Sequence, residues 1–163
     1  MSHELPHTLS CFVCGESNPM GLQLRFHAHG HEIRSTFTPR PEHVGFKGVI
    51  HGGLLATVLD EILVWACAVP TGQFAFCAEL TVRFLTPVQP HEALNVIATL
   101  TENKRGKILI AILIAEGRIE NQAGRICATA TGKYIPIPEA QISGMMEELI
   151  GGSSELTFAP RKQ

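Results

Sequence analysis

One segment in the middle of the chain would be apolar on nearly every face if it formed a helix. It covers residues 52–69 and is followed by Pro70 and Gly72, both of which interrupt regular helix. A helix of about five turns without a polar stripe has no face to present to water, so it has to be buried. Any fold for this chain must therefore surround one long helix.

The sequence on both sides of this helix changes to the period of two that is typical of β-strands. Six candidate strands cover residues 22–29, 31–38, 76–86, 93–101, 107–116 and 125–134. The order β-β-α-β-β-β-β is satisfied most simply by an α+β fold in which an antiparallel sheet wraps around the helix. In residues 108–115 no polar residue alternates with the apolar ones, so we expect both faces of that strand to be covered. One face would meet the helix. The other face would meet a second subunit or the C-terminal segment.

Length and charge limit the domain organisation and the class of partner. The 163 residues suit one compact domain; we expect an irregular arm over residues 1–20, a folded domain over 21–138, and a short helix and tail over 139–163. The net charge of -2 argues against nucleic-acid binding. The polar start is unlike a signal peptide and no run reaches the ~18–20 apolar residues of a membrane span, so we expect no membrane association. Five cysteines, an odd number, indicate reduced thiols in the cytoplasm.

Two carboxylates interrupt the apolar segment. Apart from cysteines, the ionisable side chains in residues 48–78 are His51, Asp60 and Glu61. A carboxylate in an apolar helix is costly unless it is paired or functional. Asp60 shares its helical stripe with small residues that permit close approach, whereas Glu61 lies beside bulkier ones. We therefore assign catalysis to Asp60 and keep Glu61 as the alternative, although Glu61 could instead be structural and meet Arg83.

Gly52 and Gly53 stand at the predicted start of the helix. The first N–H groups of a helix have no internal acceptor and lie at its positive end. Aimed at a carbonyl group, one such donor can stabilise a developing oxyanion by roughly 3 kcal/mol. We assign Gly52 to catalysis and Gly53 to substrate binding; the alternative is that the glycines only ease the turn into the helix.

The spacing of Gly52 and Asp60 predicts the oligomeric state of an enzyme. The two residues are eight positions apart, which is roughly 12 Å along a helix. They cannot contact the same carbonyl group within one chain. A two-fold homodimer with antiparallel helices would bring them together at two shared sites, and a dimer of dimers remains open.

Residues 48–61, Gly-Val-Ile-His-Gly-Gly-Leu-Leu-Ala-Thr-Val-Leu-Asp-Glu, closely resemble the His-Gly-Gly…Asp motif of hotdog-fold acyl-CoA thioesterases of the phenylacetyl-CoA and 4-hydroxybenzoyl-CoA type. Residues 80–87 are similar to the strand that follows the helix in those proteins, and residues 11–22 to the N-terminal segment of one bacterial branch. The resemblance covers about residues 10–135. It implies the hotdog fold, a sheet wrapped around one long central helix.

The resemblance also implies roles for individual residues. Asp60 would orient or activate the water, or attack the thioester itself. The Gly52 N–H would polarise the carbonyl group, and His51 would shape the helix entrance. Two positions depart from the family: Gly45 stands where many relatives have Asn or Gln, and Cys77, which we place in the substrate site, stands where relatives often have Ser or Thr.

The densest basic cluster covers residues 103–107, which contain Lys104, Arg105 and Lys107 at a predicted hairpin tip. Arg binds phosphate bidentately and Lys binds it as a point charge. Related hotdog proteins hold the nucleotide near this loop, so we predict that the three cations bind the phosphates of coenzyme A. A solvated turn is the alternative.

Cysteine and histidine are concentrated in the arm, where His3, His7, Cys11 and Cys14 have the ligand types of a zinc site. We favour a cysteine pair that packs beneath the edge of the sheet, and we assign neither a metal nor a cofactor.

These features predict an acyl-CoA thioesterase, which would hydrolyse its substrate to free acid and CoA. The alternative is a non-catalytic acyl-CoA-binding or regulatory protein on the same fold. A hotdog dehydratase or hydratase would need a His base beside the acid, and the sequence offers no matching arrangement.

Overall fold

The computed structural model describes residues 2–105 and 111–152. A 20-residue helix, α1 (Gly52–Thr71), packs on one antiparallel sheet. The predicted α+β hotdog arrangement is confirmed. A shorter helix, α2 (Glu139–Met146), follows the sheet within the segment predicted for it.

The sheet has seven strands among the described residues. They are β1 (Ser2–Glu4), β2 (Phe26–His29), β3 (Glu32–Phe37), β4 (Ala75–Phe84), β5 (Leu94–Arg105), β6 (Ala111–Asn121) and β7 (Ile126–Pro136). Their order is β1-β2-β3-β5-β6-β7-β4, and every neighbouring pair is antiparallel. The chain leaves β3 near one edge and enters β4 at the other, so α1 makes this crossing and contacts β3, β5, β6, β7 and β4.

The core lies between α1 and the facing side of the sheet. Nine residues of the helix are buried, including Val58, Leu59, Ile62 and Leu63, which are fully inaccessible. Alternate residues of the central strands meet them, among them Leu94, Val96, Leu113, Ala115, Ile119 and Ala128. The apolar residues at alternate positions of the strands therefore pack against the apolar surface of the helix.

By length and composition alone, α1 could cross a membrane, which we had not expected from the sequence. However, 50% of its most apolar window is buried inside the described structure. The sheet covers that surface, so its hydropathy is explained by its place as the core helix of the fold.

Both ends of α1 have recognisable caps. The side chain of His51 caps the first turn, accepting a hydrogen bond from the Gly53 N–H at 2.9 Å. Gly72 ends the helix in the left-handed region (φ 69°), and its N–H donates to the Ala68 carbonyl at 2.8 Å. Pro70 was expected to end the helix but lies inside its last turn.

The N-terminal arm is more ordered than we predicted. Ser2–Glu4 form a strand on the edge of β2, and Leu5 is 1% exposed. His7 exchanges two backbone hydrogen bonds with Ile150, at 2.9 and 2.8 Å, so the arm is joined to the segment after α2. A strand of three residues is too short to produce a period in the sequence, which is why the prediction missed it. Residues 153–163 of the predicted tail lie outside the described residues.

The basic cluster begins inside the β5–β6 ladder and not at a hairpin tip. Lys104 pairs with Ile112 and Arg105 with Ala111, so β5 extends four residues beyond its predicted end. A register shift between Leu100 and Glu102 lets the two strands continue. Lys107 lies outside the described residues.

Two apolar surfaces of the sheet are exposed within the described part of the chain. On the outer face of β6, Ile112 is 38% exposed. On β4, which pairs only with β7 among the described strands, Phe76 is 53% and Phe84 55% exposed. A strand with a free edge and exposed aromatic rings is typical of a surface that another chain covers.

Candidate active site

The entrance to α1 is shaped by the ring of His51. Because the Gly53 N–H donates to His51 Nδ1, Gly53 is occupied in the cap. The Gly52 N–H, one position earlier, has no acceptor within the described part of the chain. Among the described residues, the Gly52 N–H that the sequence assigned to catalysis is therefore free at the positive end of the helix.

The backbone packs closely against neighbouring side chains at three glycines around this entrance. A Cβ on Gly53 would lie 2.9 Å from His51 Nδ1, and one on Gly45 would lie 3.0 Å from His51 Cδ2. A Cβ on Gly52 would meet the ring of Phe84 at 3.2 Å. Gly45 therefore has no room for the amide side chain found in many relatives, because His51 occupies that space.

Asp60 is held by a tyrosine that the sequence analysis did not identify. The Tyr134 hydroxyl donates to Asp60 Oδ1 at 2.9 Å and lies 3.3 Å from the Asp60 carbonyl oxygen. Tyr134 is fully buried. Burial, followed by the negative charge of Asp60, raises the pKa of Tyr134, so the hydroxyl keeps its proton and acts as the donor.

A sequence signal for Tyr134 did exist. The inward-facing residues of β7 are Ala128, Ala130, Gly132 and Tyr134. The alternation predicts that this tyrosine points into the core, where its hydroxyl needs a partner. Gly132 is required because a Cβ there would lie 2.3 Å from the tyrosine ring.

Cys77 lies beside both the Asp60 carboxylate and the Tyr134 hydroxyl. It pairs with Tyr134 across β4 and β7, next to a register shift before Glu79. Its pKa is raised, first by partial burial and then by the charge and hydrogen bond of Asp60. Asp60 thus has two neighbours, the buried Tyr134 hydroxyl and the Cys77 thiol on the edge strand β4.

Glu61 has different neighbours, although it is adjacent in sequence. It lies against the arm, with the Cys11 Sγ 3.9 and 4.0 Å from its two carboxylate oxygens. Burial, and then the negative charge of Cys11, raise the pKa of Glu61 to about 7. The alternative ion pair with Arg83 is not formed: Arg83 lies on β4 among residues of a different cleft.

The basic residues predicted to bind coenzyme A are described only in part. Lys104 is exposed and forms an ion pair with Glu102, which offsets part of its charge. The structure places the backbone of Arg105 at the end of β5.

The sequence profile of the Thioesterase superfamily matches residues 47–127, which contain helix α1 with Asp60 and strand β4 with Cys77. The chain belongs to the thioesterase superfamily. A search of curated protein sequences gave no match.

Solved structures share the fold. One thioesterase superfamily protein is 23% identical, with a TM-score of 0.68; the alignment covers 77% of this chain and 59% of that one, so this chain spans less than two thirds of its length. The PaaI protein from the phenylacetic acid degradation operon of E. coli is 22% identical over 72% of this chain and 81% of that one, with a TM-score of 0.62. The smu.793 protein of Streptococcus mutans, solved with bound acetyl CoA, is 18% identical over 66% and 82%, with a TM-score of 0.59.

We expect Tyr134→Phe to lower kcat for thioester hydrolysis by about ten- to a hundredfold with little change in KM. The removed hydrogen bond to a charged group corresponds to roughly 1.5–3 kcal/mol, and the ring that fills the core remains. Steady-state kinetics and urea unfolding of the same samples would measure both effects.

A double-mutant cycle with Asp60→Asn is the control for this positioning role. Tyr134→Phe should cause little further loss of kcat in the Asp60→Asn background, because its effect passes through the carboxylate. Equal losses in both backgrounds would show that the tyrosine only supports the core.

Proposed function

We propose that the protein hydrolyses acyl-CoA thioesters to a free acid and CoA, with Asp60 as the catalytic carboxylate. The observation that carries this proposal is the position of Asp60. It lies in the apolar core helix, with one oxygen fixed by Tyr134 and with the exposed edge strand β4 beside it. Placing a carboxylate in an apolar helix costs free energy. In a protein of this superfamily, such a carboxylate is a strong candidate for the reacting group.

The chemistry needs one polarised carbonyl group and one activated water. Asp60 would accept a proton from the water as it attacks the thioester carbon, or would attack that carbon directly and form an anhydride that water then cleaves. The C–S bond breaks, and the CoA thiolate leaves and takes up a proton. The hydrogen bond from Tyr134 fixes the direction of the carboxylate, and the Cys77 thiol lies where relatives often supply a hydroxyl.

The free Gly52 N–H is the proposed oxyanion donor. It has no acceptor among the described residues and stands at the positive end of α1. Its neighbour, the Gly53 N–H, is occupied by His51. A small cleft of about 270 Å³, lined by Gly45, Phe46, Ile50, His51 and Gly52, opens at this point and gives the carbonyl group a path to the donor.

A second subunit would complete the site. Asp60 is roughly 12 Å along the helix from Gly52, so an Asp60 from another chain has to serve the Gly52 donor. The uncovered edge of β4, with Phe76 and Phe84 exposed, lies next to Asp60 and would provide the interface. A homodimer formed through β4 brings the two halves together twice. The exposed outer face of β6, including Ile112, is a candidate surface for a dimer of dimers.

Coenzyme A is the proposed thiol component. The acetyl CoA bound to the Streptococcus mutans protein of the same fold supports this choice. Lys104, Arg105 and Lys107 are the proposed contacts for its phosphates. A cleft of about 680 Å³ lies beside the helix entrance and has space for the remainder of the ligand. It is lined by residues of the arm, of the segment before α1 and of the helix itself, such as Met20, His43 and Leu54.

A non-catalytic acyl-CoA-binding protein is the second candidate function. Two observations favour it: His51 leaves no room for an amide at Gly45, and Cys77 offers a thiol in place of a hydroxyl. Both changes would weaken the positioning of water without preventing the binding of an acyl-CoA.

A thiol-release assay with a panel of acyl-CoAs tests the proposed function. We expect turnover with the wild type and a loss of kcat of at least ~10² for Asp60→Asn, the scale of a positioned acid or base. Glu79→Gln, which changes an exposed glutamate, is the control and should keep full activity. Binding without turnover for every acyl group would support the second candidate, and an active Asp60→Asn with an inactive Glu61→Gln would move the catalytic role to Glu61.

The basic cluster should contribute binding that is the same in the ground and transition states. We therefore expect Lys104→Ala, Arg105→Ala and Lys107→Ala, singly, to raise KM for acyl-CoA a few-fold and to leave kcat unchanged. The effect should shrink at high salt, because exposed charges are screened over about 10 Å at 0.1 M.

Lys133→Ala is a matched control for Lys104→Ala, because Lys133 is also an exposed lysine paired with a glutamate, Glu79. It should not change KM. An acyl-pantetheine substrate, which lacks the nucleotide phosphates, should not distinguish the three variants from the wild type. Equal losses on both substrates would contradict the phosphate contact.

A further inference from the structure

The contact between the arm and Glu61 brings three metal-ligand groups together. The donor atoms of Cys11, Cys14 and Glu61 all lie within 4.8 Å of one another. Thiolates lie about 2.3 Å and carboxylate oxygens about 2.0–2.2 Å from a bound zinc ion, so two donors of a tetrahedral site are roughly 3.5–3.8 Å apart. The longest of these separations would need to contract by no more than about 1.3 Å to reach that geometry.

The backbone holds the two sulfur atoms in a tight turn. The Gly15 N–H donates to the Cys11 carbonyl at 2.9 Å, and the Val13 N–H donates to Cys11 Sγ at 3.3 Å. A Cβ on Gly15 would lie 2.2 Å from that carbonyl, so a side chain at this position would open the turn. Hydrogen bonds from the backbone to sulfur accompany metal–thiolate ligation and stabilise the thiolate form.

The cluster contains negative groups and no balancing cation. Within residues 2–105 and 111–152, Glu61 forms no ion pair with a lysine, arginine or histidine. Its neighbours are instead two thiols and the carboxylate of Asp60. A partly buried carboxylate beside two thiols is costly without a positive charge, and a divalent ion would supply one.

The histidines of the arm do not belong to this group. His7 Nε2 is hydrogen-bonded to Glu16 at 2.8 Å, and His3 lies in β1. The ligand set therefore differs from the His-His-Cys-Cys array that the sequence suggested, because its third member comes from the core helix.

We propose that Cys11, Cys14 and Glu61 bind one Zn²⁺ ion, which joins the N-terminal arm to α1. Two sulfurs and one oxygen suit the ligand preference of zinc, and the fourth position is open to water because Cys11 is only partly buried. Binding displaces the thiol protons to solvent and involves no redox step. The ion would fix the residue next to Asp60 without contacting the thioester, so this site does not depend on the proposed function.

Cobalt(II) is the probe that tests the proposal on the full chain, stripped of metal with a chelator and kept reduced with a phosphine. We expect a thiolate-to-cobalt charge-transfer band that saturates at one equivalent per chain and is displaced by Zn²⁺. Cys14→Ser should retain about half of the band, because each thiolate contributes its own transition. Glu61→Gln, which keeps both thiols, should weaken zinc binding by more than about tenfold.

Cys127→Ser and Glu79→Gln are matched controls away from the cluster and should leave the titration unchanged. Because the wild type and Glu61→Gln both retain the cysteines, the test does not depend on whether a cysteine variant folds. Absence of the band in the reduced wild type would overturn the proposal, as would a band that persists when both Cys11 and Cys14 are serine. A Cys11–Cys14 disulfide would be seen by mass as the loss of two hydrogens. The proposal would also be overturned if this disulfide forms preferentially and the chain binds no metal after it is reduced.

Discussion

The burial of α1 against the five strands from β3 to β4 is the constraint on which the rest of the structure depends. The helix has to cross from β3 to the far edge, since β4 pairs with β7 and not with β3. Twenty residues span roughly 30 Å, enough to cover the strands between. This crossing fixes the relative positions of three features: the start of the helix, the middle of the helix and the edge strand β4.

Polar groups on such a helix need partners that the fold must supply. Asp60 finds the buried hydroxyl of Tyr134, and Glu61 finds the thiols of the arm. The two carboxylates are adjacent in sequence but about 100° apart around the helix, so they contact different parts of the structure. This division separates a proposed reaction site from a proposed metal site within one turn of helix.

Much of this arrangement could be predicted from the sequence. The all-apolar segment and the period of two determine an α+β fold with one central helix, and the Gly52–Asp60 spacing suggests a shared site. The contact of Tyr134 with Asp60 depends on which strand lies beside the middle of α1, and a linear pattern does not contain that information. The same holds for Glu61 and Cys11, which are 50 residues apart and meet only because the arm folds back on the helix.

The most direct test of the account is complementation between two inactive chains. Gly52→Pro removes the free N–H at the first helical position, where proline is tolerated, and the extended conformation of His51 (φ -62°, ψ 128°) permits a following proline. Gly52→Ala keeps the N–H and places its Cβ against the Phe84 ring as proline does; it is therefore the control and should remain active. If the site is shared, purified heterodimers of Gly52→Pro and Asp60→Asn chains should recover about half of the wild-type thiol-release activity, because one of their two sites is intact. Heterodimers as inactive as the two parent homodimers would contradict the account.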